Sequence, residues 1–408
     1  MTSGSFVSPN VIRAMFSQAM SAMYRAEVPL YGDLLDIVET VNARTLDADP
    51  ALRAALEARD EIERLSGERH GAIRVGTAEE LSALRRLFAV MGMVPVGYYD
   101  LAPAGLPVHS TAFRPINGAD LNANAFRIFC SLLRIDLIED VVLREKAAAI
   151  LAGRRIISDA AMTIVAQHER DGGLHEAAAE QFVTEALETF RWHGEALVDG
   201  ETYRALNAAH RLIADIVCFR GPHINHLTPR TLDIDAVQAE MIARGIKAKA
   251  VIEGPPRRAV PILLRQTSFA ALDEAISFRE QDGLVSGAHT ARFGEIEQRG
   301  AALTPKGRAL YDEMLANVSG GPEPEAPYEA RLAQAFAGLP DDRKRMRQKG
   351  LAYFAYRLTA EGKATVASRP LPAHGIDALI EQGLLVAEPI TYEDFLPVSA
   401  AGIFRSNL

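Results

Sequence analysis

Hydrophobic and polar residues follow two different periods along this chain, and each change of period marks a change of predicted structure. Up to residue 66, apolar side chains recur every three or four positions, which predicts helices. Over 67–134 the pattern alternates around one helical stretch and predicts the order β-α-β-β-β, with strands at 70–77, 94–101, 108–116 and 125–133 and a helix at 78–91. For 125–133 a helix is the alternative. The helical period returns over the alanine-rich residues 135–220.

The alternating pattern then appears a second time. A predicted helix at 233–244 is flanked by predicted strands at 224–232, 247–253, 260–268 and 290–298. This repeat of the β-α-β-β-β order predicts an internal duplication within an α+β fold, forming a curved mixed sheet around a cavity. The predicted regions are N-terminal helices (1–66), a first module (67–134), a helical insertion (135–220), a second module (221–300) and a C-terminal extension (301–408) that closes the cavity.

Composition narrows the class of protein. With 48% hydrophobic and 24% charged residues, the 408-residue chain has the mixture of a globular protein with a substantial core. The net charge of −9 argues against a dedicated nucleic-acid binder, and the two cysteines exclude a disulfide framework. A mean hydropathy of +0.01 and the lack of a long apolar run argue against a membrane span. The first residues do not resemble a signal peptide, so we expect a cytoplasmic protein.

Two histidines stand at matching places in the two modules. His70 opens the first predicted strand of the first module, and His226 lies in the first predicted strand of the second. If the modules pack as pseudo-twofold mates, these residues meet at the bottom of a shared cavity. The last strand of the second module adds Glu295 and Glu297. Two histidines and one carboxylate are the ligand set of a mononuclear non-haem Fe(II) centre, with open positions for substrate and oxygen.

The alternation of side chains along a strand indicates which neighbouring residues can face the same cavity as the candidate ligands. His223 is three residues from His226, so only one of the two can point inward. The same parity argument does not separate Glu295 from Glu297, which share a face. Arg74 is four residues after His70 and therefore projects from the same face. Its guanidinium suits a substrate carboxylate, the alternative being an arginine that pairs with a structural acid.

These residues carry a family resemblance. The duplicated module with ligands at these places resembles the vicinal oxygen chelate superfamily. Phe293–Arg299 resembles the metal-carboxylate strand of 4-hydroxyphenylpyruvate dioxygenase, in which the first glutamate binds iron, and this resemblance favours Glu295 over Glu297. Over nearly its full length, the chain resembles the 2-oxoadipate dioxygenase/decarboxylase family, also called hydroxyglutarate synthase. The matching segments are 69–74, 224–230, 293–307 and 393–404.

The resemblance implies both a reaction and the residues that perform it. The implied reaction converts 2-oxoadipate and O₂ to D-2-hydroxyglutarate and CO₂ as a step in lysine breakdown. Fe(II) would be held by His70, His226 and Glu295. The residues implied around the substrate are His70, Arg74, His226, Val398 and Ser399, the last two in a segment that folds over the cavity.

Two other classes of function stay open at this point. One is a glyoxalase-like isomerase or lyase of the same superfamily, which would use Zn(II) or Ni(II) and consume no oxygen. The other is a metal-free binding module, against which the presence of all three candidate ligands counts. Oxygen consumption tests the first alternative, and metal content tests the second.

Overall fold

The structure is a computed structural model, and it describes residues 5–59, 61–65, 67–319, 327–368 and 375–396. The chain forms two compact units. The described residues of the first unit lie in 5–252 and 266–297, and those of the second lie in 253–265 and 298–396. Across the described ranges, no helix is both long enough and apolar enough to cross a membrane.

The first unit is rich in helices. They are α1 (Pro9–Glu27), α2 (Pro29–Ala48), α3 (Pro50–Glu57), α4 (Ile62–Leu65), α5 (Ala78–Val90), α6 (Gly118–Ala123), α7 (Val141–Ala152), α8 (Asp159–Asp171), α9 (Glu176–Leu187), α10 (Gly200–Ala209), α11 (Arg211–Val217) and α12 (Ile234–Ala243). The second unit contains α13 (Pro305–Ser319), α14 (Tyr328–Ala335), α15 (Arg343–Gln348), α16 (Ala360–Ser368) and α17 (Ile376–Glu381).

A five-stranded sheet, in the order β2-β3-β4-β1-β5, organises the first unit. Its strands are β1 (Glu68–Val75), β2 (Val94–Asp100), β3 (Val108–Arg114), β4 (Arg127–Leu133) and β5 (His226–Pro229). Strand β1 runs parallel to β4 and antiparallel to β5. The remaining strands form two-stranded pairs: β6 (Leu264–Ser268) with β9 (Glu295–Arg299), β7 (Leu272–Glu280) with β8 (Gly283–Arg292), and β10 (Phe354–Leu358) with β11 (Leu385–Pro389).

Local sequence signals explain where the helix after β1 begins. Thr77 is the N-cap of α5 and accepts a hydrogen bond from the backbone N–H of Glu80. The Glu80 carboxylate in turn accepts a bond from the backbone N–H of Gly76 at 2.7 Å and pairs with the buried guanidinium of Arg154. This arrangement turns the chain sharply after β1 and fixes the end of the strand.

The two faces of the five-stranded sheet differ in chemistry. Ile73 and Val75 of β1, with Ile128 and Cys130 of β4, belong to the main hydrophobic core, which includes side chains of α1, α2, α5 and α9. Gly71 belongs to the same face, where a Cβ atom would come within 2.6 Å of Ile224. The opposite face carries polar residues that are also buried, namely His70, Arg74, Arg127, Ser131, Ser110, His226 and Thr228.

The structure confirms the α+β class and the elements of the first module, including a strand at Arg127–Leu133. The duplicated sheet is not confirmed. Strand β5 joins the sheet of the first module, and the later strands form separate pairs. Residues 247–253 form no strand and contribute only bridging residues, such as Ala248 opposite Phe269. The predicted strand 290–298 is divided between β8 and β9, and β7 was not predicted.

Candidate metal centre

Strand register brings His70 and His226 together. In the antiparallel pair of β1 and β5, His70 lies opposite Thr228 and His226 lies opposite Ala72. Directly opposed residues share a face of a sheet, so both imidazoles project from the polar face. Their rings are perpendicular, with centroids 5.5 Å apart. Both side chains are buried, at 1% and 4% exposure.

Glu295, at the start of β9, completes the group. Its Oε1 atom lies 3.0 Å from Nε2 of His70, and its Oε2 atom lies 3.9 Å from Nε2 of His226. Gln266 on β6 donates a hydrogen bond of 2.6 Å to the same Oε1 atom. One ligand atom from each of the three residues lies within 4.8 Å of the other two, so the group can hold a metal ion.

In a metal-binding histidine, the ring nitrogen that faces away from the metal usually contacts a second polar group. Both imidazoles have such a contact at Nδ1. Nδ1 of His226 lies 3.0 Å from the Thr228 hydroxyl, which itself donates to Glu295 at 3.2 Å. Because that hydroxyl has one proton, it accepts from His226, so His226 carries its proton on Nδ1. Nδ1 of His70 lies 3.0 Å from Oε2 of Glu297, and a carboxylate only accepts. Nε2 of His226 therefore presents a lone pair to a cation, and Nε2 of His70 presents one when a cation displaces the proton shared with Glu295.

The electrostatics of the group also favour a cation. Burial lowers the pKa of His226 to about 4 against the opposing charge of Glu295, so this ring is neutral at pH 7. Burial acts in the same direction on His70, but the carboxylates of Glu297 and Glu295 outweigh it and raise the pKa of that imidazole. His70 thus has a carboxylate at each ring nitrogen. Replacing the proton on Nε2 by a metal ion would keep positive charge between His70 and Glu295.

Arg74 lies on the same polar face and takes part in a second buried cluster. One of its Nη atoms contacts the carboxylate of Asp215, on α11. Asp215 also lies 2.9 Å from Nε2 of His289 and 3.2 Å from Nε2 of His223. Both interpretations of Arg74 from the sequence therefore have support: it shares the face of the ligands, and it pairs with a buried acid.

The structure places most of the predicted residues around this face. His226 faces Glu295, whereas His223 contacts Asp215, so only one of these two histidines joins the ligand group. Glu295 and Glu297 contact opposite nitrogens of His70, which separates the two glutamates. Val398 and Ser399 lie outside the described residues, and their contact with a substrate stays a prediction.

Sequence reasoning missed Thr228, Gln266 and Asp215. Asp215 carried a readable signal, because it is the one charged residue among the apolar positions 212–219. Thr228 also carried one, since it is two residues from His226 and therefore shares its face. Gln266 had no such signal: its position depends on the pairing of β6 with β9, and a side chain on a strand does not reveal the partner strand.

Comparison with known proteins decides the family. The family model of 2-oxoadipate dioxygenase/decarboxylase matches residues 16–407. The chain belongs to the 2-oxoadipate dioxygenase/decarboxylase family. The Escherichia coli relative with this name is 58% identical over 402 residues, which cover 98% of this chain and 89% of that protein. The Pseudomonas putida relative is 58% identical over 414 residues, covering 100% and 89%.

A solved structure of the family has the same fold. The hydroxyglutarate synthase of Pseudomonas putida, crystallised in complex with 2-oxoadipate, is 57% identical to this chain and superposes with a TM-score of 0.93. The match covers 100% of this chain and 91% of that chain. The resemblance of the sequence to the 2-oxoadipate dioxygenase/decarboxylase family is thereby confirmed.

Proposed function

We propose that this chain is an Fe(II)-dependent dioxygenase that converts 2-oxoadipate and O₂ to D-2-hydroxyglutarate and CO₂. The observation that carries the proposal is the buried group of His70, His226 and Glu295 in a chain that belongs to the 2-oxoadipate dioxygenase/decarboxylase family. The reaction balances without a second organic substrate, because 2-oxoadipate supplies all the electrons that reduce O₂. Both atoms of O₂ remain in the products.

The three side chains would hold the metal through Nε2 of His70, Nε2 of His226 and the carboxylate of Glu295. When bound, Fe(II) would act as a Lewis acid, would activate oxygen and would offer open coordination positions to the 2-oxo acid. Two nitrogens and one carboxylate oxygen suit Fe(II) better than an all-carboxylate set would. The hydrogen bond from Gln266 and the contact from Thr228 keep the Glu295 carboxylate in place.

The side chain of Phe293 fixes the orientation of one proposed ligand and shields the ligand group from water. The ring of Phe293 stacks on the His226 imidazole, with centroids 4.7 Å apart and an interplanar angle of 23°. This contact fixes the plane of the ring and covers it with carbon atoms. Phe293 is 1% exposed and Glu295 is 1% exposed, so bulk water has little access to the ligands from this side. A dry site protects reactive intermediates from side reactions.

Arg74 would bind the carboxylate at the far end of the substrate. It follows Ala72 on the same face of β1, and Ala72 lies opposite His226. Two residues along a strand span about 6.6 Å, a distance suited to the chain of a six-carbon diacid. The small side chain of Ala72 would allow that chain to pass close to the strand. The Arg74 guanidinium would hold the carboxylate by charge-assisted hydrogen bonds.

The proposal is tested by oxygen uptake. Protein loaded with Fe(II) under anaerobic conditions is mixed with 2-oxoadipate and oxygenated buffer, and the product is identified by chiral chromatography. We expect one CO₂ and one D-2-hydroxyglutarate for each O₂ consumed. No uptake with 2-oxoadipate, or with shorter and aromatic 2-oxo acids, would refute the proposal and favour a non-oxidative metalloenzyme of the same superfamily.

Two variants assign the roles of individual residues. Glu295→Gln removes the charged ligand and is expected to abolish both metal retention and turnover, whereas unchanged turnover would exclude Glu295 as a ligand. Arg74→Ala is expected to retain the metal but to need far more substrate. If the kinetics of Arg74→Ala match those of the parent protein, the arginine has only a structural role.

A further inference from the structure

Asp215 is the centre of a buried polar cluster beside the metal ligands. It belongs to α11, in which Leu212, Ile213, Ile216 and Val217 are all buried in apolar surroundings. Its Oδ2 atom contacts the guanidinium of Arg74, and its Oδ1 atom faces Nε2 of His289 and Nε2 of His223. Each of these four polar side chains is at most 5% exposed. The two carboxylate oxygens are therefore divided between arginine and histidines.

The Asp215 carboxylate is ionised in this environment. Burial alone would raise its pKa, but the positive charge of Arg74 and the contact with His223 hold the pKa well below its ordinary value of 3.8. A buried ion pair contributes little net stability, because desolvation of the two charges offsets their attraction. A gain in stability over an apolar residue therefore does not account for an acid at this position of an apolar helix, whereas a role in orienting Arg74 does.

The opposite side of the cluster holds Asp215 in place. Nδ1 of His289 lies 2.9 Å from the hydroxyl of Tyr203, on α10. With Nε2–H of His289 donating to Asp215, Nδ1 has a lone pair and accepts a hydrogen bond from Tyr203. A chain of contacts thus leads from Tyr203 through His289 and Asp215 to Arg74. It fixes the carboxylate from one side, while the guanidinium contacts it from the other.

Arg74 lies close to the ligand group along β1. It is two residues from Ala72, which lies opposite His226, so its side chain projects from the same face. An arginine side chain has about 2 kcal/mol of rotamer entropy, so an unconstrained guanidinium would sample many directions. The contact with Asp215 restricts these directions on the face where His70 and His226 project.

We propose that Asp215 is a positioning residue, which directs the Arg74 guanidinium toward the far carboxylate of the substrate and so makes the site select dicarboxylic 2-oxo acids. This inference rests on the proposed function, in which Arg74 binds that carboxylate. It predicts that loss of Asp215 weakens the recognition of the second carboxylate and leaves the metal ligands unaffected.

The test compares two substrates of equal length. 2-Oxoadipate and 2-oxohexanoate both have six carbons, but only the first has a second carboxylate. The ratio of their kcat/KM values is measured for the parent protein, Asp215→Asn and Arg74→Ala, together with anaerobic equilibrium binding of both acids and of Mn(II). We expect the parent to prefer 2-oxoadipate and Asp215→Asn to lose about tenfold or more of that preference, mainly through KM. Mn(II) affinity should be unchanged.

A matched control separates positioning from general damage. Asp199 caps α10 through the backbone N–H of Thr202, and asparagine caps helices as well as aspartate does. Asp199→Asn is therefore expected to keep the preference of the parent. A merely structural effect of Asp215→Asn would lower kcat/KM for both acids by the same factor, and this result would overturn the proposal.

The other outcomes are also decisive. If Asp215→Asn binds 2-oxoadipate more tightly, Asp215 competes with the substrate for Arg74, and the proposal is wrong. If Arg74→Ala loses the preference but Asp215→Asn keeps it, only the role of Asp215 is refuted. If Arg74→Ala keeps the preference, or the parent has none, the proposed function fails and the inference fails with it. Should Asp215→Asn not fold, Tyr203→Phe decides, with an unchanged preference counting against the proposal.

Discussion

The Glu297 carboxylate is expected to control how tightly His70 binds a metal ion. Its Oε2 atom lies 3.0 Å from Nδ1 of His70, and the side chain is 0% exposed. Glu297→Gln preserves size and an acceptor oxygen but removes the charge. A neutral amide holds the Nδ1 proton less strongly, so Nε2 on the opposite side of the ring becomes a weaker electron donor.

The contact itself indicates the size of the effect. Hydrogen bonds to charged groups contribute about 1.5–3 kcal/mol and those between neutral groups about 0.5–1.5 kcal/mol. The difference of about 1–1.5 kcal/mol corresponds to roughly a tenfold loss of metal affinity, which is the lower end of the 10–100-fold range typical of such outer partners. The loss should be smaller than that of Glu295→Gln, which removes a ligand.

An anaerobic competition titration of Mn(II) against a chelator measures this affinity. Glu240→Gln is a suitable control, because Glu240 lies on α12 in an ion pair with Arg244 that is partly open to solvent. We expect no change in the control, about a tenfold loss in Glu297→Gln and a larger loss in Glu295→Gln. Parent-like affinity of Glu297→Gln would refute the reasoning, since His70 would then bind metal equally well without a carboxylate at Nδ1.

Three further predictions concern space, stability and pH. Ala72→Leu should lower kcat/KM for 2-oxoadipate at least tenfold, because the larger side chain would block the proposed path of the substrate between His226 and Arg74; Mn(II) titration should show that metal binding is retained. Glu80→Ala should lower the free energy of unfolding in urea by about 3–5 kcal/mol, because it leaves the Arg154 guanidinium buried without its carboxylate. Asp215 has a depressed pKa, so its contribution to stability is present above its ordinary pKa of 3.8 and is lost as the pH falls toward the folded-state pKa. The difference in unfolding free energy between parent and Asp215→Asn should therefore shrink as the pH is lowered from 5 to 3; a difference that grows would contradict this sign.

Parity along strands is the part of the site that the sequence revealed best. The interval of four residues placed Arg74 on the face of His70. The interval of three predicted that only one of His223 and His226 joins the ligands, and this holds although His223 precedes β5 and lies outside the strand. Glu295 and Glu297 are two residues apart, so parity leaves them equivalent. Only the rotation of the His70 ring, with Nε2 toward one carboxylate and Nδ1 toward the other, distinguishes them.

The second module was harder to predict because an alternating sequence forms a strand only when a neighbouring strand pairs with its backbone. Residues 247–253 alternate, but Gly254, Pro255 and Pro256 follow, and proline has no N–H for a ladder. The segment therefore makes isolated contacts, such as the hydrogen bond from Lys249 N–H to the carbonyl of Ser268, and no continuous pairing. At the start of the second module, the predicted strand 224–232 is shortened to β5, which begins at His226 and ends at Pro229.

The clearest sign of the site is an alternating strand that is buried on both faces. Alternation usually means that one face of a sheet contacts water. In β1, however, Ile73 and Val75 are buried at 0% exposure on one face, and His70 and Arg74 are buried at 1% and 5% on the other. The polar side chains must then find partners within the protein. They do so with acids from distant parts of the sequence: Glu295 and Glu297 for His70, and Asp215 for Arg74. Each buried base thus marks a place where folding brings in a carboxylate. The two bases are four residues apart, about 13 Å along β1, so the proposed metal ligand and the proposed substrate-binding arginine share one face of one strand.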